Sequence, residues 1–170
     1  MAQDVDLLIA MAEIAGIFVG FGALISVTRR SEIEASQFGL IRAVVTTGLV
    51  VLVAALLPVA LGRYGVTGHD LWFICSLTFL FLNWAVIIFS LRLAENRELL
   101  ILRARGNPVM AVFFWLLLEI PMQVPLILAV LGLFPSLEPA FYITALVLNL
   151  FEAAFVLAQF VYSQAIPPGA

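Results

Sequence analysis

The stretch VMAVFFWLLLEIPMQVPLILAVLGLF, residues 109–134, decides how this sequence folds. It is long enough to cross the hydrocarbon core of a bilayer, which takes about 20 apolar residues in a helix. Near its middle, however, it carries Glu119, Gln123 and two prolines. An ionisable side chain at that depth costs about 3 kcal/mol even on lenient insertion scales. We therefore expect a membrane-spanning helix whose polar centre is covered by protein.

The rest of the sequence has the same apolar character. Of the 170 residues 64% are hydrophobic and 11% charged, whereas a soluble domain has about 25% charged residues. We predict a single transmembrane domain over residues 1–170, an all-α polytopic bundle of five transmembrane helices. The absence of lysine and of a eukaryotic sorting signal favours a bacterial cytoplasmic (inner) membrane. The five apolar runs cover about 7–27, 38–62, 71–92, 109–134 and 139–163.

The arginines are distributed unevenly between the two sides of such a bundle. All eight basic residues are arginine, and with the N-terminus outside only Arg63 lies in an outer loop. Arginine-rich short loops stay on the cytoplasmic side. We therefore predict an outer N-terminus and an inner C-terminus, with Tyr64, Trp72 and Tyr142 at the outer boundary. The other arginines fall at or near the inner side: Arg29, Arg30, Arg42, Arg92, Arg97, Arg103 and Arg105.

Between the third and fourth runs, residues 93–106 form a predicted cytoplasmic amphipathic segment. Four apolar residues in a row, 99–102, lie there among arginines. Such a segment either lies in the inner interface of the bilayer or binds a cytoplasmic partner. The residues that would make the lipid or partner contact are Arg97, Leu99, Leu100, Arg103 and Arg105.

Five polar side chains are expected to meet near the middle of the membrane. Glu119 and Gln123 are spaced i,i+4, and Asn149 and Glu152 are spaced i,i+3, so each pair shares one helix face. Counted in residues inward from the short loop between the last two helices, Glu119 and Glu152 lie at nearly the same depth. Gln123 and Asn149 lie about one helical turn nearer to that loop. Asn83 of the third helix is expected at the level of the amides. We predict that this layer binds an ion or relays protons.

The prolines of the fourth helix strengthen this prediction. Pro121 and Pro125 have no N–H, so they leave the carbonyls of Leu117 and Pro121 without their helical donor. At membrane depth such carbonyls need a donor from a neighbouring helix or water. A kink at the prolines would bring bare carbonyl oxygens beside Glu119, a combination that suits a hard cation or a proton path. The alternative is structural: the acids share a proton and hydrogen-bond the amides, which holds the helices together.

The first helix carries a third intramembrane acid, Glu13, which is a further candidate for ion binding or proton relay. Ala12, Gly16 and Gly20 recur every four residues on the same helix. Small residues at this spacing allow close helix–helix contact. We predict a packing interface there, either within the chain or between subunits.

Several classes of function are excluded by composition. The net charge is −3 and no basic stripe lies outside the short loops, so a nucleic-acid partner is not expected. One cysteine, Cys75, and one histidine, His69, argue against a metal cluster, and we expect a packed thiol and a loop imidazole. No cofactor-binding or catalytic motif is present, so an enzyme is not expected.

Two functions remain. The first is a homo-oligomeric ion channel or a proton- or cation-coupled transporter that uses Glu119 and Glu152, with the oligomer needed because five short helices scarcely enclose a pathway. The second is a non-conducting scaffold, sensor or regulatory subunit that acts through helix–helix and cytoplasmic-loop contacts. A conducting site needs water to reach the acids, whereas a structural site does not.

Overall fold

The computed structural model describes residues 2–28, 35–92 and 119–165. In these ranges the chain forms five helices and no strand, which confirms the all-helical class. We number the helices in chain order: α1 (Ala2–Thr28), α2 (Ala35–Arg63), α3 (Gly68–Arg92), α4 (Ile120–Val130) and α5 (Glu138–Ala165).

Four of these helices are long and apolar enough to cross a membrane, namely α1, α2, α3 and α5. Their bounds lie within a few residues of the predicted runs, except that α1 begins five residues earlier. The fourth run is described only from Glu119, and α4 ends at Val130 instead of 134 because the chain turns there through Gly132 at a φ of +63°. Residues 93–106 lie outside the described ranges.

The helices pack around α2 and α5. Helix α1 packs mainly against α2, and α4 packs against α3 and α5, while α5 packs against each of the other four helices. The shared core is formed by small and aliphatic side chains together with Phe79, Met122 and Tyr142. Large apolar side chains on the outer faces remain exposed, among them Ile17, Phe81 and Phe151, as expected for helices surrounded by lipid.

The short loops 64–67 and 131–137 precede α3 and α5. The Nδ1 atom of His69 in α3 and the Oε1 atom of Glu138 in α5 are joined by a 2.7 Å hydrogen bond. This bond brings the first turns of the two helices together, so α3 and α5 start at one end of the bundle. We call this the looped end.

Glycines of α1 and α2 let these two helices approach closely. A Cβ at Gly48 would lie 2.8 Å from Val19 Cγ2 and 3.3 Å from the carbonyl oxygen of Ala15. A Cβ at Gly22 would lie 2.6 Å from Val45 Cγ2. Distances below 3.0 Å leave no room for the added carbon, so both positions require glycine in this packing.

The small residues singled out in the sequence, Ala12, Gly16 and Gly20, behave differently from Gly22 and Gly48. Ala12 is buried. A Cβ at Gly16 would make an ordinary 3.8 Å contact with Leu52, and a Cβ at Gly20 would meet nothing within 4 Å. Close packing within the chain therefore depends on Gly22 and Gly48. A role for Gly20 at an interface between subunits stays a prediction.

Tyr142 was expected at the membrane boundary, but it is fully buried between helices. Its hydroxyl donates a 2.7 Å hydrogen bond to the carbonyl oxygen of Ala54 in α2. That carbonyl has no helical donor, because the residue four positions later is Pro58, which has no N–H. The expectation was wrong because a tyrosine ring near a helix end suits either the interface or a buried acceptor, and here the acceptor lies inside. Trp72 and Phe79 pack against the same ring, with centroids 5.5 and 5.8 Å away.

Candidate ion site between three helices

Glu119 is the centre of the candidate site. It lies at the start of the described part of the fourth apolar run, and its side chain is buried inside the bundle. Gln123, one turn later on α4, donates a hydrogen bond of 3.1 Å from Nε2 to Glu119 Oε2. The i,i+4 spacing thus brings these two side chains together, as the sequence predicts.

Side chains from two other helices reach the same carboxyl group. Asn83 of α3 lies close enough to the Glu119 carboxyl group to stabilise its charge, but its Nδ2 does not reach hydrogen-bonding geometry with any partner within the described residues. Glu152 of α5 lies within range of direct charge–charge interaction with Glu119. Asn83 therefore lies at the level of the carboxyl groups, one turn deeper than the amide level at which we expected it.

Asn149 completes the predicted set. It lies one turn before Glu152 on α5 and is buried, with 1% of its surface exposed. Neither Oδ1 nor Nδ2 has a hydrogen-bond partner among the described residues. The structure thus brings four of the five predicted side chains into one cluster at Glu119. It places Asn149 beside that cluster, toward the looped end.

Glu13 is not part of this cluster. It lies on an exposed face of α1, a helix that packs against α2 and α5. The apolar side chains of Ile17 and Leu24 are exposed on the same face. A role for Glu13 in ion binding would therefore require a second subunit, and it stays a prediction.

The proline prediction concerns residues at the edge of the described region. Pro121 lies in the first turn of α4, and Pro125 lies inside the helix, which continues beyond it to Val130. Glu119 itself has helical φ and ψ angles of −65° and −50°. Leu117, one of the two carbonyls said to lose its donor, lies outside the described residues. The kink remains a prediction.

A second polar contact was missed by sequence reasoning. His69 was expected in a loop, but it lies in the first turn of α3 and pairs with Glu138. The imidazole is 47% exposed, whereas the carboxyl group is only 1% exposed. Gly132 makes room for the ring, because a Cβ there would lie 3.0 Å from His69 Cε1. Glu138 also begins α5, where a carboxylate is favoured by the helix dipole.

Ser76 was also missed. It is fully buried on α3, and its Oγ has no hydrogen-bond partner within the described ranges. A lone serine in an apolar run gives little signal in a sequence, since serine often bonds to its own helix. The acceptor of the Tyr142 hydroxyl could have been predicted from the sequence. A proline leaves the carbonyl four residues before it without a helical donor, and this reasoning, applied to Pro121 and Pro125, applies equally to Pro58.

The cluster has the chemistry of a proton or cation site. Two carboxyl groups within interaction range disfavour having both ionised, so a bound cation or a shared proton stabilises the pair. The amide groups of Asn83 and Gln123 add donors and acceptors beside Glu119. No group of three or more histidine, cysteine or acidic side chains that could hold a metal occurs in the described part of the chain.

Comparison of this chain with known protein families, curated proteins and solved structures finds no match. Its function must therefore be inferred from the cluster itself.

Proposed function

We propose that the protein is an integral membrane protein that moves protons or cations, as a channel or a coupled transporter, with Glu119 and Glu152 as the groups that bind or relay the ion. The observation that supports this most directly is the buried Glu119 carboxyl group, which accepts a hydrogen bond from Gln123. It also lies within electrostatic reach of Asn83 of α3 and Glu152 of α5. Acids inside a membrane are rare and costly, and they characteristically mark ion or proton pathways.

The proposal includes the topology. The fourth run, 109–134, is long enough to be a fifth membrane-spanning helix. The arginine bias favours an outer N-terminus, which puts the looped end outside, in a bacterial cytoplasmic membrane. Arg42 fits this assignment: it lies far from the looped end of α2, with its guanidinium 5.6 Å from the ring centroid of Phe89, where it can reach the inner interface.

The proposal also includes a homo-oligomer. Glu13 is exposed on α1 among apolar side chains, and a charged or polar group facing lipid is unfavourable. A second copy packed on this face would cover the acid and use the free space at Gly20. The pathway would then lie within each bundle or next to the subunit contact.

The test is ion flux into proteoliposomes that contain the purified protein. Gradients of protons, sodium, potassium and calcium are imposed separately on the wild type, Glu119→Gln and Glu152→Gln. Glutamine keeps the size and hydrogen bonding of glutamate but cannot ionise. We expect the wild type to conduct at least one ion, and each variant to lose flux by about tenfold or more, equivalent to about 1.4 kcal/mol of added barrier.

Asp6→Asn is the matched control, because it makes the same carboxyl-to-amide change at an exposed position of α1. It should conduct like the wild type. All variants are first checked for unchanged oligomer size and thermal stability. Absence of flux for every ion in the wild type would contradict the proposal and favour the non-conducting subunit, which contacts partners through residues 93–106.

A further inference from the structure

Three buried polar side chains carry atoms without a hydrogen-bond partner in the described bundle. They are Ser76 with Oγ, Asn83 with Nδ2, and Asn149 with both Nδ2 and Oδ1. Each side chain is more than nine-tenths buried. A buried polar atom left unpaired is unfavourable, so a ligand of matching chemistry is expected beside these atoms.

The hydrogen bond between His69 and Glu138 gives the depth of each group, because it joins the first turns of α3 and α5. A helix rises about 1.5 Å per residue, so Ser76 lies about 10 Å below this pair and Asn149 about 16 Å below it. Asn83 and Glu152 both lie about 21 Å below it, fourteen residues along their helices. Seven-residue spacing puts His69, Ser76 and Asn83 on one side of α3, and eleven-residue spacing puts Glu138 and Asn149 on one side of α5. The unpaired atoms therefore lie at successive depths between the looped end and the Glu119 cluster, and we call this set the polar column.

The His69–Glu138 pair lies at the end of this column nearest to solvent. His69 is 47% exposed and its partner Glu138 is 1% exposed. An imidazole bonded to a carboxyl group can take a proton from water on one side and pass it to a buried oxygen on the other. The column therefore has a proton-exchanging pair at its exposed end and a pair of acids at its buried end.

The unpaired atoms also indicate what fills the column. An amide Nδ2 is a donor and needs an acceptor, whereas a bare sodium, potassium or calcium ion is bound by oxygen alone. Such an ion would satisfy Asn149 Oδ1 and leave the amide nitrogen of Asn149 unpaired. Assigning the amide oxygen and nitrogen of Asn149 the other way round does not change this argument, since both atoms lack a partner. Water both accepts and donates, so it fits the complete set.

We propose that this column carries protons along bound water from the His69–Glu138 pair to Glu119 and Glu152, and that Ser76 and Asn149 hold this water in place. The inference rests on the proposed function and narrows its cargo to the proton. In each step a water oxygen accepts one proton and releases another. At the His69–Glu138 pair an N–H bond breaks as an O–H bond forms, elsewhere one O–H bond forms for each that breaks, and nothing is oxidised or reduced.

The experiment uses proteoliposomes of the full chain with a pH-sensitive dye inside, next to parallel flux measurements with sodium, potassium and calcium. Asn149→Leu replaces the amide with an apolar group of similar size, and Ser76→Ala removes a single hydroxyl. Thr144→Val is the matched control, because the Thr144 hydroxyl lies on the exposed face of α5 and bonds only to the carbonyl of Ala140 in its own helix.

We expect proton flux in the wild type without flux of the three metal ions. Asn149→Leu should lower it by about tenfold or more, equivalent to about 1.4 kcal/mol of added barrier. Ser76→Ala should lower it by a smaller factor, and Thr144→Val should leave it unchanged. Asn149→Ser, which keeps a hydroxyl and adds room for water, should retain more flux than Asn149→Leu.

Each contrary result has a distinct meaning. Flux of a metal ion without protons would overturn the column and leave the proposed function standing. No flux of any ion would overturn both. If Asn149→Leu folds and its proton flux is unchanged, the proton path lies outside the column. If Asn149→Leu does not fold, unchanged proton flux in Ser76→Ala leads to the same conclusion.

Discussion

At the residue scale, a missing N–H in one helix explains a buried hydroxyl in another. Pro58 cannot donate to the carbonyl of Ala54, and Tyr142 donates to it instead over 2.7 Å. A buried carbonyl without a donor costs about as much as a lost hydrogen bond. The tyrosine is therefore part of the internal hydrogen bonding of the bundle, and its ring fills the space between Trp72 and Phe79.

Tyr142→Phe keeps the ring and removes the donor, so we expect it to lower the free energy of unfolding by about 1–3 kcal/mol. In a Pro58→Ala background the new N–H of residue 58 can donate to the carbonyl of Ala54. Tyr142→Phe should then lower the free energy of unfolding by less. The measurement is a double-mutant cycle from thermal or denaturant unfolding in detergent. Equal losses in both backgrounds would show that the hydroxyl and the proline act independently.

At the scale of elements, α1 and α2 approach closely because Gly22 and Gly48 have no side chain. The sequence correctly indicates that small residues pack helices, but it directed attention to Gly16 and Gly20, which are spaced in the familiar pattern. Spacing alone does not say which face of a helix meets its neighbour. Only the rotation of α1 against α2 decides that, and it depends on all the side chains between them.

Gly48→Ala should destabilise the bundle by about 1–3 kcal/mol, the usual cost of overpacking, because its Cβ would lie 2.8 Å from Val19 Cγ2. Gly62→Ala is the matched control: nothing lies within 4 Å of a Cβ there, so it should be neutral or stabilising. Unfolding temperatures in detergent check both. Val19→Ala should relieve part of the loss, and a Gly48→Ala variant as stable as the control would contradict the close approach.

At the scale of the whole molecule, the fold class and the helix bounds were predictable from the sequence because apolar runs of this length have few alternatives. The membership of Glu119, Gln123 and Glu152 in one cluster was also predictable, because a short loop fixes the register of two neighbouring helices. The level of Asn83, the burial of Tyr142 and the partner of His69 were not. The level of Asn83 and the partner of His69 depend on how α3 lies against α5, and the burial of Tyr142 also depends on how α5 lies against α2; no short loop connects either pair of helices.

The exposed face of α1 gives a prediction at this scale. Gly20 faces open space within the chain, so Gly20→Leu should leave the single bundle intact. If two copies meet there, the added side chain should weaken their association by about tenfold, equivalent to about 1.4 kcal/mol. Light scattering or subunit exchange in detergent measures this, with Gly62→Leu as the control at another open position. An unchanged subunit number in Gly20→Leu would remove this face from the interface.

The central position of α5 has a consequence for biogenesis. A ribosome releases α1 to α4 before α5, and α5 packs against each of them. Until it inserts, the Ala54 carbonyl has no tyrosine to pair with, and Glu119 lacks the second acid of its cluster. In an unfinished copy the Ala54 carbonyl is therefore unpaired, and the last described helix supplies both its donor and the second acid of the cluster.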